Sequence, residues 1–245
     1  MRTITTANQK GGVGKTTLTC HLAWHLAGIG KRVLCVDIDP QGDLTTYLVK
    51  ELPEESHVRL LFEEKEPRPC VVSPFLSIIG SNRRLSRWEA DTKWENFQLL
   101  VGLVKKYQKS GEYDYMLIDT PPSLALFTTN AFLAADDILV PVDVGEFSIM
   151  GLTELFKSID KIHERRDSEL PKILGIVLEN VQERLVLTQT VRAQLDKEYN
   201  GLVFDTSIPT SVRIPEGVYV REPVSRGKAR DAFVSLFVEM DRRLA

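Results

Sequence analysis

Lys10-Gly11-Gly12-Val13-Gly14-Lys15-Thr16-Thr17 decides how this chain folds. Ahead of it, and of Gln9, runs Arg2-Thr3-Ile4-Thr5-Thr6-Ala7-Asn8, whose Thr and Ile content predicts a β-strand. Behind it, Leu18, Leu22, Ala23, Leu26 and Ala27 keep helical spacing until Gly28 and Gly30. A glycine-rich turn from strand to helix aims successive backbone N–H groups, and the positive end of the helix dipole, into one small volume where phosphate binds. In such a loop Lys15 neutralises the β/γ-phosphates and the Thr16 hydroxyl ligates Mg²⁺.

Further along, two apolar runs end in carboxylates. Lys31-Arg32-Val33-Leu34-Cys35-Val36-Asp37-Ile38-Asp39 and Tyr113-Asp114-Tyr115-Met116-Leu117-Ile118-Asp119 both predict parallel strands buried on two faces. The carboxyl ends of such strands form the rim where open α/β sheets bind ligands. Asp119 on that rim suits the Walker B role, holding a magnesium-bound water. Pro40-Gln41-Gly42 turns the chain, and Asp43 is expected as the N-cap of a helix to Val49.

The remaining chain alternates strands and helices. Strands are expected at Phe75–Gly80, Ile138–Val142, Ile173–Leu178 and around Val203–Ile208. Helices are expected near Val58–Phe62, Trp94–Lys109, Leu152–Arg165, Thr188–Tyr199 and Ala229–Leu244. Residues 50 to 75, rich in Glu and Pro, are expected as solvated loops around the first of these helices. The last helix carries Phe233, Leu236, Phe237, Met240 and Leu244 on one stripe. Its other face mixes Arg230, Asp231, Glu239, Asp241, Arg242 and Arg243, which favours docking on the sheet over lying on a membrane. The fold class is therefore α/β: a doubly wound, mostly parallel sheet of about seven strands, with helices on both faces. A single domain over residues 1–245 is expected.

Composition narrows the function classes. A net charge of −3 supplies no overall basic field, so any nucleic-acid contact must come from a local patch. Cys20, Cys35 and Cys70 are scattered with no CxxC, which fits a reducing compartment and no disulfide framework. No apolar run approaches ~18 residues, and no signal peptide is read ahead of the first strand. His21 and His25 form an i, i+4 pair without a third ligand in view, so helix surface or core edge is expected. Trp88 and Trp94 are expected as packing residues.

With Gln9 where the standard phosphate loop has Gly, and with Lys10 added, Lys-Gly-Gly-Val-Gly-Lys-Thr-Thr resembles the deviant Walker A loop of the ParA/MinD ATPases. Asp37-Ile38-Asp39-Pro40-Gln41-Gly42 resembles that family's switch I. Asp119-Thr120-Pro121-Pro122-Ser123, Asn130-Ala131 and Ala134-Ala135-Asp136 resemble its chromosome- and plasmid-partition branch. The resemblance covers roughly residues 1–48 and 113–245, with a loose match between. It implies a P-loop NTPase fold, ATP and Mg²⁺ as cofactors, and Gly11, Gly12, Val13, Gly14, Lys15, Thr16 and Thr17 as the phosphate cradle.

Several residue roles follow from that resemblance. Lys10 reaches across a dimer interface to the partner's nucleotide, Asp39 orients the attacking water, and Asp37 supports the magnesium shell with Thr16 and Asp119. Asn180 touches adenine, and the loop from Ile208-Pro209 onward packs its backbone along the adenine edge. Arg184 and Arg213 contact DNA phosphates without sequence preference. The implied protein is a partition ATPase, cytoplasmic and nucleoid-associated, dimeric with ATP, recycled by a ParB-like adaptor, and without a membrane tail. No helix-turn-helix segment is read before residue 1. One alternative is a cargo- or division-site-positioning ATPase. A reductase of the nitrogenase iron-protein type needs interface cysteines, and Cys20 and Cys35 fall inside a helix and a strand instead. A phosphate-binding regulator without hydrolysis is the other reading.

Overall fold

The computed structural model describes residues 1–145, 148–163, 171–182 and 185–244, with side chains described outside 148–150 and 162–163. In chain order the elements are β1 (Arg2–Thr6), α1 (Lys15–Gly28), β2 (Val33–Asp37), α2 (Asp43–Leu48), α3 (Arg59–Phe62), β3 (Cys70–Ser73) and β4 (Leu76–Ile79). Then follow α4 (Leu99–Ser110), β5 (Tyr115–Asp119), α5 (Leu126–Ala134), β6 (Asp137–Asp143), α6 (Ser148–His163), β7 (Lys172–Glu179), α7 (Val186–Glu198), α8 (Arg213–Val220) and α9 (Lys228–Leu244).

The seven strands lie in the order β3-β4-β2-β5-β1-β6-β7. All pairings are parallel except β3 against β4. β2, β5, β1 and β6 are buried almost throughout, as a sheet covered on both faces requires. One face packs α1, α2 and α9 through Leu18, Leu22, Leu44, Phe233, Leu236 and Phe237. The other carries two clusters, one of α3, α4 and α5 residues against β2 and β5, the other of α6 and α7 residues against β6 and β7. The stripe expected on the last helix is buried through Phe233, Leu236, Phe237 and Met240.

Register places the chemistry. Thr6 and Asp37 both pair with Asp119, so the ends of β1, β2 and β5 are level. Asp143 pairs with Glu179, levelling β6 with β7. Every one of these residues lies at the carboxyl end of its strand, and the topology changes direction around β1.

Four local expectations are corrected. Residues 70–73, expected as loop, form the antiparallel edge strand β3, half-exposed and bulged between Val71 and Ser73. Residues 203–208 make no sheet strand. Val203 and Pro209 form only isolated bridges to Ile176 and Val181, because the Asp205 and Thr206 N–H groups between them donate to the Glu239 carboxylate of α9 (2.9 and 3.1 Å). The chain after Pro209 is not all loop but contains α8, where Pro215 sits in the first turn and forfeits no intrahelical bond. Asp43 is the first helical residue of α2 rather than its cap. Gly42 holds the cap in the left-handed region (φ 69°), and a Cβ there would meet the Ser81 carbonyl at 2.9 Å.

Candidate functional site

The phosphate loop is anchored from behind before it is shaped in front. Asn8 Nδ2 donates to the Pro141 carbonyl of β6 (2.7 Å), and Asn8 Oδ1 accepts the Lys10 N–H (3.0 Å). Gly14 caps α1 at φ 91°, a conformation that strains any residue with a Cβ. Its carbonyl accepts the Leu18 N–H (2.8 Å), starting the helix with Lys15 as the first residue. The first-turn N–H groups of α1 thus open on the loop's concave side. Val13 is buried beneath the loop and offers it only backbone.

Lys15 is buried, and its Nζ donates across the loop to the Lys10 carbonyl (3.0 Å). Burial lowers its proton affinity, and the Asp119 and Asp39 carboxylates oppose that shift. Thr16 Oγ1 donates to Asp119 Oδ2 at 2.7 Å, joining the two residues expected around magnesium. Asp119 is fully buried. Burial, reinforced by Asp37, raises its proton affinity, and the Thr16 hydroxyl counters. Oxygen donors of this kind suit a hard divalent ion that keeps water and phosphate ligands. Among the described residues no three His, Cys, Asp or Glu side chains converge as an all-protein cage, and such an ion needs none.

Asp37 and Asp39 are set by one turn. Asp37 Oδ1 accepts the Asp39 N–H (3.1 Å), and its Oδ2 accepts the Thr45 N–H and hydroxyl (2.9 and 2.7 Å). Burial pushes the Asp37 carboxyl up to about 7, against the Thr45 bonds. Asp39 Oδ1 accepts the Gln41 N–H (2.8 Å), and burial also raises its proton affinity. Asp37 therefore spends its oxygens on fixing the turn that presents Asp39.

A cavity of about 1050 Å³ opens in front of the loop. It is lined by Gly11, Gly12, Gly14, Lys15, Thr16 and Thr17, with Asp39 on one side and Asn180 and Thr210 on the other. Asn180 stands in the left-handed region (φ 56°), and its carbonyl accepts the Thr210 hydroxyl (2.9 Å), fastening the wall after β7. Pro209 does not line the cavity; its neighbours Thr210 and Ser211 do. Lys10 does not line it either. Its ammonium lies on Asp143, at 2.7 and 2.9 Å from the two carboxylate oxygens. Arg213 opens α8 on the exposed surface, and Arg184 lies outside the described residues.

Two contributions escape a reading of the sequence. Glu179, at the end of β7, lines the cavity behind Gly14. Arg221, after α8, also lines it and donates from Nε to the Thr46 carbonyl of α2 (3.0 Å), tying the cavity's outer wall to the Asp39 turn. Both come from segments without a motif, and only the register of β7 and the presence of α8 bring them in. His21 and His25 stack on Phe233 and Phe237 of α9, and Trp88 packs on Phe62, as expected of packing residues. Trp94 is half-exposed and stacked on Phe97.

Comparison with known proteins agrees with this geometry. The AAA_31 family model, an AAA domain, matches residues 1–172. The chromosome partitioning protein ParA of Caulobacter vibrioides is 34% identical over 234 residues, covering 91% of this chain and 86% of that protein. The sporulation initiation inhibitor protein Soj of Bacillus subtilis is 31% identical over 250 residues, covering 99% and 97%. Among solved structures, a cobyrinic acid a,c-diamide synthase from Mycobacterium smegmatis with bound ADP and magnesium superposes with a TM-score of 0.82. It is 27% identical and covers 99% of this chain and 94% of that one. A deviant phosphate loop at the carboxyl rim of a seven-stranded sheet, with ParA and Soj as relatives along nearly the whole chain, places this protein in the ParA/MinD family of P-loop ATPases, as a ParA-type member.

Proposed function

We propose that this chain is a DNA-partition ATPase whose ATP-bound homodimer binds DNA without sequence preference and is recycled when a ParB-like adaptor stimulates hydrolysis. The observation that carries the reading is the placement of the two loop lysines. Lys15 serves the cavity of its own chain, whereas Lys10 lies outside that cavity on an exposed ion pair at the rim. A lysine so placed is available to a second copy.

ATP and Mg²⁺ fit the residues present. Gly11, Gly12, Gly14, Lys15, Thr16 and Thr17 would hold the phosphates. Thr16 and Asp119 would hold the metal, with Asp37 bracing the neighbouring turn, and Asn180 with the Pro209–Ser211 backbone would take the base. Bound Mg²⁺ supplies charge neutralisation to the β- and γ-phosphates. The chain's own residues do the rest. Asp39 aligns a water, Lys15 offsets developing negative charge, and Lys10 of a second copy adds a further cation. Because that cation comes from the partner, a lone subunit hydrolyses ATP slowly, and ATP times the dimer's lifetime.

Arg213, exposed at the start of α8, and Arg184 would contact DNA phosphates. One subunit offers two cations and a dimer four, so pairing multiplies a weak contact by avidity. Among the described residues no helix is long and apolar enough to cross a membrane. A cytoplasmic, nucleoid-associated location is proposed from the ParA and Soj relatives. Fluorescence anisotropy of random-sequence DNA tests the reading, with ATP·Mg²⁺, ADP·Mg²⁺ or no nucleotide. Binding confined to the ATP sample supports it; equal binding in all three contradicts it.

A further inference from the structure

Glu179 closes β7 with a side chain only 3% exposed, and among the described residues its Oε1 is the one buried carboxylate oxygen without a hydrogen-bond partner. The carboxyl rests against the phosphate loop: a Cβ built on Gly14 would lie 3.1 Å from its Cδ and 3.2 Å from its Oε2. It also lines the nucleotide cavity, beside Asn180 and opposite Asp39. The two loop cations are engaged elsewhere. Lys15 donates to the Lys10 carbonyl, and Lys10 pairs with Asp143, the residue level with Glu179 on β6. Burial alone drives the Glu179 carboxyl well above the usual carboxylate range, with no neighbouring charge to offset it. A neutral carboxyl carries one O–H donor and one carbonyl acceptor. A charged one beside a triphosphate would repel it.

We propose that Glu179 is a nucleotide-contacting residue, donating its carboxyl O–H to an oxygen or nitrogen acceptor of the bound nucleotide from the cavity wall behind Gly14. The inference rests on the nucleotide reading above and adds a donor that the loop motif does not contain. A buried acid here also explains why position 14 has no room for a side chain, apart from its backbone conformation.

Isothermal titration calorimetry of the full chain with ATP·Mg²⁺ at pH 6.5, 7.5 and 8.5 tests it, with Glu179→Gln and Glu179→Ala alongside. Asp37, Asp39, Asp119, Lys15 and the γ-phosphate titrate or bear charge around the same cavity, and they are common to wild type and Glu179→Gln. The ratio of the two affinities therefore isolates Glu179. The expected result is a Glu179→Gln affinity within about twofold of wild type at pH 6.5, since the amide N–H donates in place of the carboxyl O–H. Glu179→Ala is expected to bind about fivefold more weakly than wild type at pH 6.5. A folded Glu179→Ala protein that binds as tightly as wild type, or a Glu179→Gln protein that binds about fivefold more weakly than wild type at pH 6.5, overturns the inference. A wild type that binds no ATP at any pH overturns the nucleotide site itself, which is a distinguishable failure.

Discussion

Lys10 Nζ is clamped between the two oxygens of Asp143, 2.7 and 2.9 Å away, so the loop's extra lysine is paired within its own chain to the end of β6. The pair is exposed on both sides, 43% at Lys10 and 27% at Asp143. Ion pairs of that exposure contribute about 0–1 kcal/mol. Lys10 is thus kept out of its own cavity at little cost to the proposed move onto a partner's triphosphate. Replacing Asp143 by Asn should release it: the dimerisation constant with ATP should rise by up to about fivefold for each Lys10 released, as about 1 kcal/mol allows, in sedimentation velocity over a protein concentration series. No change, or a fall, would show that Asp143 does not restrain Lys10.

Asp39 occupies a rigid turn, its oxygen held by the Gln41 N–H and its own N–H by Asp37. Asp39→Ala should bind ATP and pair normally while losing at least about tenfold in turnover, since positioning dominates phosphoryl transfer. A dimer that persists on size exclusion long after ATP is added is the expected sign. Wild-type phosphate release would remove Asp39 from the water's neighbourhood.

Arg213 stands exposed at the first position of α8, where a charge change disturbs little packing. Arg213→Glu should abolish DNA binding in anisotropy titrations while leaving ATP binding intact. The milder Arg213→Ala should lower the slope of log K against log salt by about 0.9 for each DNA phosphate left without its cation. Intact binding by the Glu variant would move the DNA surface elsewhere.

His21 sets a pH limit on the fold. It is buried, stacked on Phe233 with ring centres 4.0 Å apart, and its Nδ1 lies 2.8 Å from the Thr17 carbonyl, which places the proton on that nitrogen. Burial lowers its pKa to about 4, against a raising contribution from the Thr17 carbonyl. The unfolded chain protonates near 6.5 and the folded one near 4, so the unfolded state takes up the proton first as pH falls. Stability from this residue is present above about 6.5 and is lost progressively between about 6.5 and 4, by roughly 3 kcal/mol in all. Thermal melts followed by circular dichroism should show the wild type falling more steeply over that window than His21→Phe. Parallel pH profiles would contradict the assignment.

The parts legible from sequence are those where local chemistry and burial agree. The phosphate loop announces itself because glycine, lysine and threonine are needed at fixed spacing. β2 and β5 do so because a strand buried on two faces must be continuously apolar until its carboxylate rim. β3 is illegible because its apolar run, Cys70 to Val72, is only three residues long, sits between Pro69 and Pro74, and lies on a half-exposed, bulged edge without alternation. The segment at 203–208 reads as a strand by composition, yet a carboxylate from α9, far along the chain, captures two of its N–H groups. α8 hides behind Pro215 and Gly217; the latter is buried where a Cβ would meet the Glu222 carbonyl at 2.8 Å. For the same reason Arg221 and Glu179 are visible only once tertiary contacts exist.

Association state as a function of nucleotide tests the trans-acting lysine most directly. Sedimentation velocity of wild type and Lys10→Ala, each with ATP·Mg²⁺ and with ADP·Mg²⁺, should give a dimer only for wild type with ATP, while Lys10→Ala binds ATP and stays monomeric. A wild type whose association is the same with ATP and ADP, or a Lys10→Ala protein that pairs and hydrolyses at the wild-type rate, would contradict the account.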